Sequence, residues 1–464
     1  MDQSLEFDRE LLRKYDVSGP RYTSYPTAPQ FHDRFGVADY REAVEHSNGE
    51  LIPRPLSLYL HIPFCRTVCF YCGCNRVITG NYRHAGEYLE RLEREIRMQS
   101  TLFDPDRPVE QLHFGGGTPT YLNRKDMARL MGELREAFPL SREDSREFSI
   151  EIDPRTVSRE KVTQLAELGF NRMSLGVQDF DPAVQVAVNR IQSVEQTAEC
   201  IDAARKAGFG SVNLDLIYGL PRQTPESFER TLLTVLALRP ERLAVYNYAH
   251  LPELFKVQRQ IRAEEIPDPE TKLALLELTI DRLTDAGYVY IGMDHFALPD
   301  DELARAQRAG GLHRNFQGYS THAECDLIGL GVSAIGRVGD TYSQNLRDLE
   351  GYYDALDGAR QPLWRGITLT ADDRLRRDVI NAIMCHSAVR FRELEHRHGI
   401  RFRSYFAPEL EELAPLAADG LVEVDDDGLA VTPLGRLLLR NVAMVFDAYL
   451  QDRARVRPAF SRVI

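Results

Sequence analysis

The sequence predicts an α/β fold: an incomplete, TIM-like parallel barrel with an N-terminal arm and a mainly helical C-terminal domain. Three observations predict it. Apolar runs ending in Gly or Pro alternate with helical stretches about six times, which calls for a parallel sheet with crossover helices. The runs keep one polar face, which suits the lumen of a barrel too wide for Val, Ile and Leu to fill. After about residue 350 the texture turns helical. The division is an arm over 1–39, a barrel over 40–350 and a C-terminal domain over 351–464.

The arm, around SGPRYTSYPTAPQF, shows neither helical nor strand period and is expected to lie along another part of the chain. The barrel runs are LSLYLHIPF, EQLHFGGGTP, FSIEIDP, NRMSLGVQDF, VNLDLIYGLP and RLAVYNYAH. Helices such as AGEYLERLEREIRMQ and PESFERTLLTVLAL, apolar at three- and four-residue spacing, separate them. In the first run Leu56, Leu58, Leu60 and Ile62 oppose Ser57, Tyr59 and His61. Later runs set Phe148, Ile150 and Ile152 against Ser149, Glu151 and Asp153. They also set Met173, Leu175 and Val177 against Ser174, Gly176 and Gln178, and Val212, Leu214 and Leu216 against Asn213, Asp215 and Ile217. Burying Glu151 and Asp215 without partners is costly, so a large polar ligand is expected in the lumen. Parallel barrels place chemistry at the C-terminal strand ends, near which Tyr59, Glu151, Gln178 and Asp215 fall.

In the C-terminal domain DDRLRRDVINAIMC, PELEELAPLAADGL and TPLGRLLLRNVAMVFDAYL read as helices, with a hairpin in VEVDDDGLAV. That order resembles a winged-helix module. Asp425, Asp426 and Asp427 stand where a wing would meet phosphates, so a packing domain or lid is expected rather than a DNA contact.

Composition narrows the function. With 464 residues and 43% hydrophobic the chain can bury a large core. Lys and Arg number 57 against 70 Asp and Glu, and the net charge of −13 argues against a broad nucleic-acid face. No apolar run approaches the roughly 18 residues of a membrane helix, and the charged start is unlike a signal peptide. A soluble cytoplasmic protein is expected. Lysine is scarce and arginine supplies most cations, so an anionic small substrate would meet guanidinium forks, which grip carboxylates well.

Of seven cysteines, Cys65, Cys69, Cys72 and Cys74 are bunched, a pattern unlike a secreted disulfide framework. Cys65-x3-Cys69-x2-Cys72 supplies three close thiolates directly after the first strand. Three thiolates can ligate three irons of a [4Fe–4S] cube and leave the fourth open to a substrate or cofactor, whereas ferredoxin-type clusters use four. Zinc is the alternative, with His61 and Cys74 completing the site.

LYLHIPFCRTVCFYCGCN resembles the cluster-binding loop of radical S-adenosylmethionine enzymes, and Gly115-Gly116-Gly117-Thr118-Pro119 resembles their glycine-rich motif. With SGPRYTSYPTA, HFGGGTPTYL, GVQDF, LDLIYGLP, NYAHLP, GMDHFA and HRNFQGY, nearly the whole chain, including the closing FSRVI, resembles the oxygen-independent coproporphyrinogen III oxidase family. The resemblance implies a partial (βα)6 barrel. It also implies anaerobic conversion of two propionates of coproporphyrinogen III to vinyl groups, giving protoporphyrinogen IX. The implied cofactors are a [4Fe–4S] cluster and two molecules of S-adenosylmethionine, with a low-potential electron donor and a monomeric chain.

By the same resemblance Cys65, Cys69 and Cys72 ligate the cluster and Cys74 does not. Tyr59, Gly116, Glu151, Ala249 and Ile335 hold the first S-adenosylmethionine. Tyr71, Gly117, Thr118, Gln178, Arg190 and Asp215 surround a second, with Phe316 and Gln317 near the same pocket. Tyr59, Glu151, Phe316 and Gln317 are the expected catalytic residues. Tyr22 and Tyr25 either close over the porphyrinogen or pack on the barrel, and Asp215 is open to an arginine salt bridge instead of a ligand. Heme chaperones of the same superfamily are the rival reading. They lack the extended arm and usually carry an aromatic at the position of Cys74.

Overall fold

The computed structural model describes residues 5–322, 325–451 and Arg462, so FSRVI lies outside the described residues except at Arg462. The chain forms two compact units, residues 31–268 with 324–368, and residues 1–30 with 269–323 and 369–464. These boundaries differ from the division at 39 and 350. Leu273, Ile291, Leu303 and Leu312 share a core with Leu375, Ile380 and Leu439, so 269–323 belongs with the C-terminal segment.

In the first unit β1 (Leu56–Ile62), β2 (Val109–Gly116), β3 (Glu147–Ile152), β4 (Arg172–Gln178), β5 (Ser211–Tyr218) and β6 (Arg242–Asn247) are the six anticipated strands. They pair in parallel and in sequence. Crossovers include α1 (Arg83–Ser100), α2 (Arg124–Ala137), α3 (Arg159–Glu167), α4 (Val194–Lys206) and α5 (Pro225–Leu238). Each of α2 to α5 starts at an Asn, Ser or Thr whose side chain accepts a backbone N–H of the first turn. The alternation holds: along β3, β4 and β5 every second residue is buried, and the intervening residues face the lumen half-buried. A bulge between Gly176 and Gln178, with Gln178 at φ +70°, turns that side chain at the strand end.

Within this unit four further strands of the large sheet escaped the sequence pattern. β7 (Asp326–Leu330) pairs in parallel with β1 on the side away from β2, and β8 (Ile335–Val338), β9 (Thr341–Asn345) and β10 (Leu363–Thr368) continue the sheet antiparallel. Among the described residues β6 and β7 do not pair, so the barrel stays open. At its N-terminal end the buried Asp326 is held by Arg107 at 2.6 Å, by the Ser47 hydroxyl and by Gly339 N–H at 2.8 Å. A buried carboxylate that is fully paired fixes β7 against β1.

The second unit centres on Phe391 stacked on Phe402 at 4.1 Å, with Phe406 and Phe446 around them. Strands Ala388–Arg390, Val422–Val424 and Gly428–Val431 form the winged ribbon, and at its tip Asp426 and Asp427 pair with Arg403 and Arg392. Tyr22 and Tyr25 of the arm belong to this unit. Both are buried in this unit's core, where the Tyr22 hydroxyl donates to Asp447 at 2.9 Å and the Tyr25 hydroxyl accepts from Ala448 N–H. Among the described residues no helix is long and apolar enough to cross a membrane.

Candidate active site

The cysteine loop leaves β1 at Pro63 and returns through a short parallel pairing of Phe64–Cys65 with Val77–Ile78. Gly117 closes over it. Its N–H donates to Ile62 O at 2.8 Å, and a Cβ there would lie 2.6 Å from the Pro63 carbonyl oxygen, which only glycine avoids. Cys65 Sγ lies 3.3 Å from the Thr118 hydroxyl, and Cys69 is buried. Arg190 Nη1 and Arg155 Nη2 donate toward Cys69 Sγ at 3.5 and 3.9 Å, and Asp153 pairs with both guanidiniums.

Burial pushes the Cys65 thiol up to about 11, and the charges of Cys72 and Cys69 add to this. Cys72 is drawn down to about 6, chiefly by the hydrogen bond from Cys74 and against its own burial. The set fits a [4Fe–4S] cluster: three thiols on one short loop, a fourth cysteine spent on a neighbour, and cations that offset cluster charge. It does not fit zinc through His61. His61 Nε2 faces the Asn75 carbonyl at 2.9 Å and so carries the hydrogen, which leaves Nδ1 to accept from the Tyr59 hydroxyl at 3.1 Å. Burial lowers the imidazole's pKa, keeping it neutral, and both nitrogens are occupied.

Tyr59 and Glu151 come together through His113. The Tyr59 ring stacks on His113 at 5.8 Å, and His113 Nε2 faces Glu151 Oε1 at 3.2 Å while Ser149 holds Nδ1 at 2.5 Å. Gly116 N–H donates to Glu151 Oε2 at 3.2 Å. Gly116 sits at φ +117°, and a Cβ there would reach the His61 ring at 2.9 Å. The Glu151 side chain stays 44% exposed, so its carboxylate faces open space. Ile335 crosses beside the same tyrosine: its backbone packs on Gly329, the β7 partner of Tyr59, so closely that a Cβ on Gly329 would lie 2.7 Å from it.

On β4 and β5 Asp215 accepts from Ser174 and Asn213, both at 2.8 Å, and no arginine pairs with it among the described residues. Burial, with Glu151's charge adding, raises its pKa to about 6. Gln178 has no side-chain partner among the described residues. Arg190 is more committed than a free carboxylate fork: Nη1 serves Cys69 and Asp153, and Nη2 donates to Gly176 O. Its Nε alone lacks a partner. Tyr71 packs beside Val184, Val188 and Tyr248. Its carbonyl and that of Ala249 share the amide of the buried Gln258, at 2.9 and 3.2 Å. Phe316 and Gln317 form the turn of the His313–Asn315/Gly318–Ser320 ribbon in the second unit, and their role rests on the resemblance alone.

Sequence reasoning missed His113, Asp153, Arg155 and Gln258. His113 was legible, since it alternates with Gln111 on the polar face of EQLHFGGG. Arg155 and Gln258 lie in short 3-10 segments with no period to read.

An open parallel barrel with a three-cysteine loop after its first strand defines the class, and residues 59–235 match the radical SAM superfamily. Residues 369–438 match the HemN C-terminal domain. The chain is 52% identical to the oxygen-independent coproporphyrinogen III oxidase of Pseudomonas aeruginosa and 51% identical to that of Escherichia coli, covering 99–100% of each chain. The solved coproporphyrinogen III oxidase (HemN) from Escherichia coli, described as a radical SAM enzyme, superposes with a TM-score of 0.91 at 50% identity. That match covers 96% of this chain and 100% of the other. The chain belongs to the oxygen-independent coproporphyrinogen III oxidase family.

Proposed function

We propose that the chain performs its family's reaction at the C-terminal end of β1 to β5. Two propionates of coproporphyrinogen III are oxidatively decarboxylated to vinyl groups, giving protoporphyrinogen IX. A [4Fe–4S] cluster held by Cys65, Cys69 and Cys72 would supply the electron for reductive cleavage of S-adenosylmethionine, the source of the oxidising power for removal of a propionate β-hydrogen.

Cys65, Cys69 and Cys72 hold the cluster. Glu151, braced by Gly116 N–H and His113, takes the ammonium of the first S-adenosylmethionine. Tyr59 and Ile335 flank that molecule, with Gly116 and Ala249 giving it backbone room. Gln178 offers an unspent amide, and Asp215 a carboxyl fixed by Ser174 and Asn213, to a second molecule beside Tyr71, Gly117 and Thr118. Arg190 holds Cys69 and the β4 end in place for it. The electron comes from an external low-potential donor, and the chain works as a cytoplasmic monomer without nucleic-acid or membrane partners.

The observation that carries this reading is the three-thiol loop after β1 together with two lumen carboxylates, Glu151 and Asp215, that no Lys or Arg pairs among the described residues. The test is anaerobic reconstitution with iron and sulfide, then turnover with reductant, S-adenosylmethionine and coproporphyrinogen III. Two CO2 per product and a transient monovinyl tricarboxylate are expected. Tight heme binding with no CO2 released refutes the reading in favour of a chaperone.

A further inference from the structure

Arg347 and Arg365 bring two like charges together without an acidic partner. Arg347 is exposed just past β9, and Arg365 is half-buried on β10. Neither forms an ion pair among the described residues; Arg365 donates its Nε–H to Gln344 at 2.8 Å, and its guanidinium lies 5.8 Å from the Phe31 ring centroid. Both guanidiniums lie over the indole of Trp364, at 5.9 and 4.1 Å from its centroid. The ladder skips Trp364: Gln344 pairs with Arg365 and Asn345 with Leu363, so a bulge puts the indole beside the following arginine. Holding two cations this close in a half-buried site is unfavourable: burial, with the charge of Arg347 adding, lowers the Arg365 pKa. An anion relieves it.

The pair also stands next to the site. Ile335, Gln344 and Arg365 occupy one rung across β8, β9 and β10, two strands from the S-adenosylmethionine position at Ile335. The Arg347 carbonyl accepts from Asn75 at 2.8 Å, the residue directly after Cys74. On a chain of net charge −13, a polycarboxylate needs such a local cation pair.

We infer that Arg347 and Arg365 form a carboxylate subsite that grips an unreacting propionate of the porphyrinogen, with the Trp364 indole holding the two guanidiniums beside it. This rests on the substrate reading above. Guanidinium forks match carboxylates bidentately, and among the described residues no side-chain hydrogen bond spends the Arg347 donors.

The chain has one tryptophan, so its emission reports on this place alone. Coproporphyrinogen III is colourless and quenches by contact rather than by energy transfer. In anaerobic titrations of the reconstituted protein, Trp364 emission is expected to saturate with coproporphyrinogen III. The half-saturation concentration should rise about tenfold in Arg347→Gln and in Arg365→Gln. KM for porphyrinogen should rise alongside, with iron content, S-adenosylmethionine affinity and kcat retained. Arg347 is exposed, so its variant tests the subsite even where Arg365→Gln fails to fold, and Arg365→Lys should recover only part of the affinity. Unchanged half-saturation and KM overturn the subsite. Unchanged KM with slowed reduction by an acidic donor protein overturns it too, and makes the pair a donor-docking patch. A wild-type Trp364 response without any CO2 release would instead count against the reaction and leave the subsite standing.

Discussion

Glu151 and Asp215 sit on the same lumen face, two strands apart, and are built differently. Glu151 is held by one backbone N–H and one imidazole, with its side chain 44% exposed. Asp215 is enclosed by the Ser174 hydroxyl and the Asn213 amide, and burial raises its pKa to about 6. The first arrangement leaves a carboxylate open to a cationic ligand. The second fixes a carboxyl that is close to accepting a proton, suited to hydrogen-bonding a neutral hydroxyl or amide. Alternation of strand residues brought both to the lumen, and their neighbours on adjacent strands gave them different work.

The largest effect expected is at the thiols. Cys69→Ser should abolish the cluster's charge-transfer absorption and all S-adenosylmethionine cleavage, while Cys74→Ser keeps the cluster. A catalytic cluster surviving in Cys69→Ser contradicts the ligand assignment. Glu151→Gln comes next. Removing the charge should weaken S-adenosylmethionine binding about tenfold, near the lower end for a charged partner because the side chain is half-exposed, with iron content unchanged. Equal affinity in anaerobic calorimetry would make Glu151 a structural partner of His113.

Gln178→Ala should cut vinyl formation several-fold, roughly the worth of one hydrogen bond, without altering cluster absorption, because its amide holds nothing in the protein. If product formation is untouched, the second S-adenosylmethionine lies elsewhere. The smallest effect concerns Asp215. A carboxyl titrates near 3.9 when unfolded, so a folded value of about 6 means the native state binds this proton more tightly. Stability should therefore fall as pH rises from about 4 to about 6 and level above that, and Asp215→Asn should remove this component. Urea unfolding of both proteins at pH 5 and pH 7 measures it. A wild-type-minus-variant difference that does not change between those pH values rejects the raised value.

Much of the site was legible because it is local. The cysteines fall within eight residues of one another, the glycines follow the next strand, and period-two patterns put Tyr59, Glu151, Gln178 and Asp215 on one face. What alternation does not carry is the partner. It makes Asp215 a lumen residue but is silent on whether an arginine or Ser174 meets it, since that depends on the register between β4 and β5. The same blindness affects Arg190. Its residue type suggests a ligand fork, and only the packed structure shows it turned onto Cys69, Asp153 and Gly176.

The sequence by itself determined the six consecutive barrel strands, their crossover helices and the thiol loop, because period, capping residues and spacing act over a few residues. The tertiary structure decided that β7, more than 200 residues after β1, joins it directly and leaves the barrel open. It decided that residues 269–323 share a core with the C-terminal segment, and that Tyr22 and Tyr25 are buried there. It also decided that two arginines, 18 residues apart, meet over one indole. Such contacts depend on strand register and chain closure over long separations, where no local pattern names the partner and burial of the whole surface selects it.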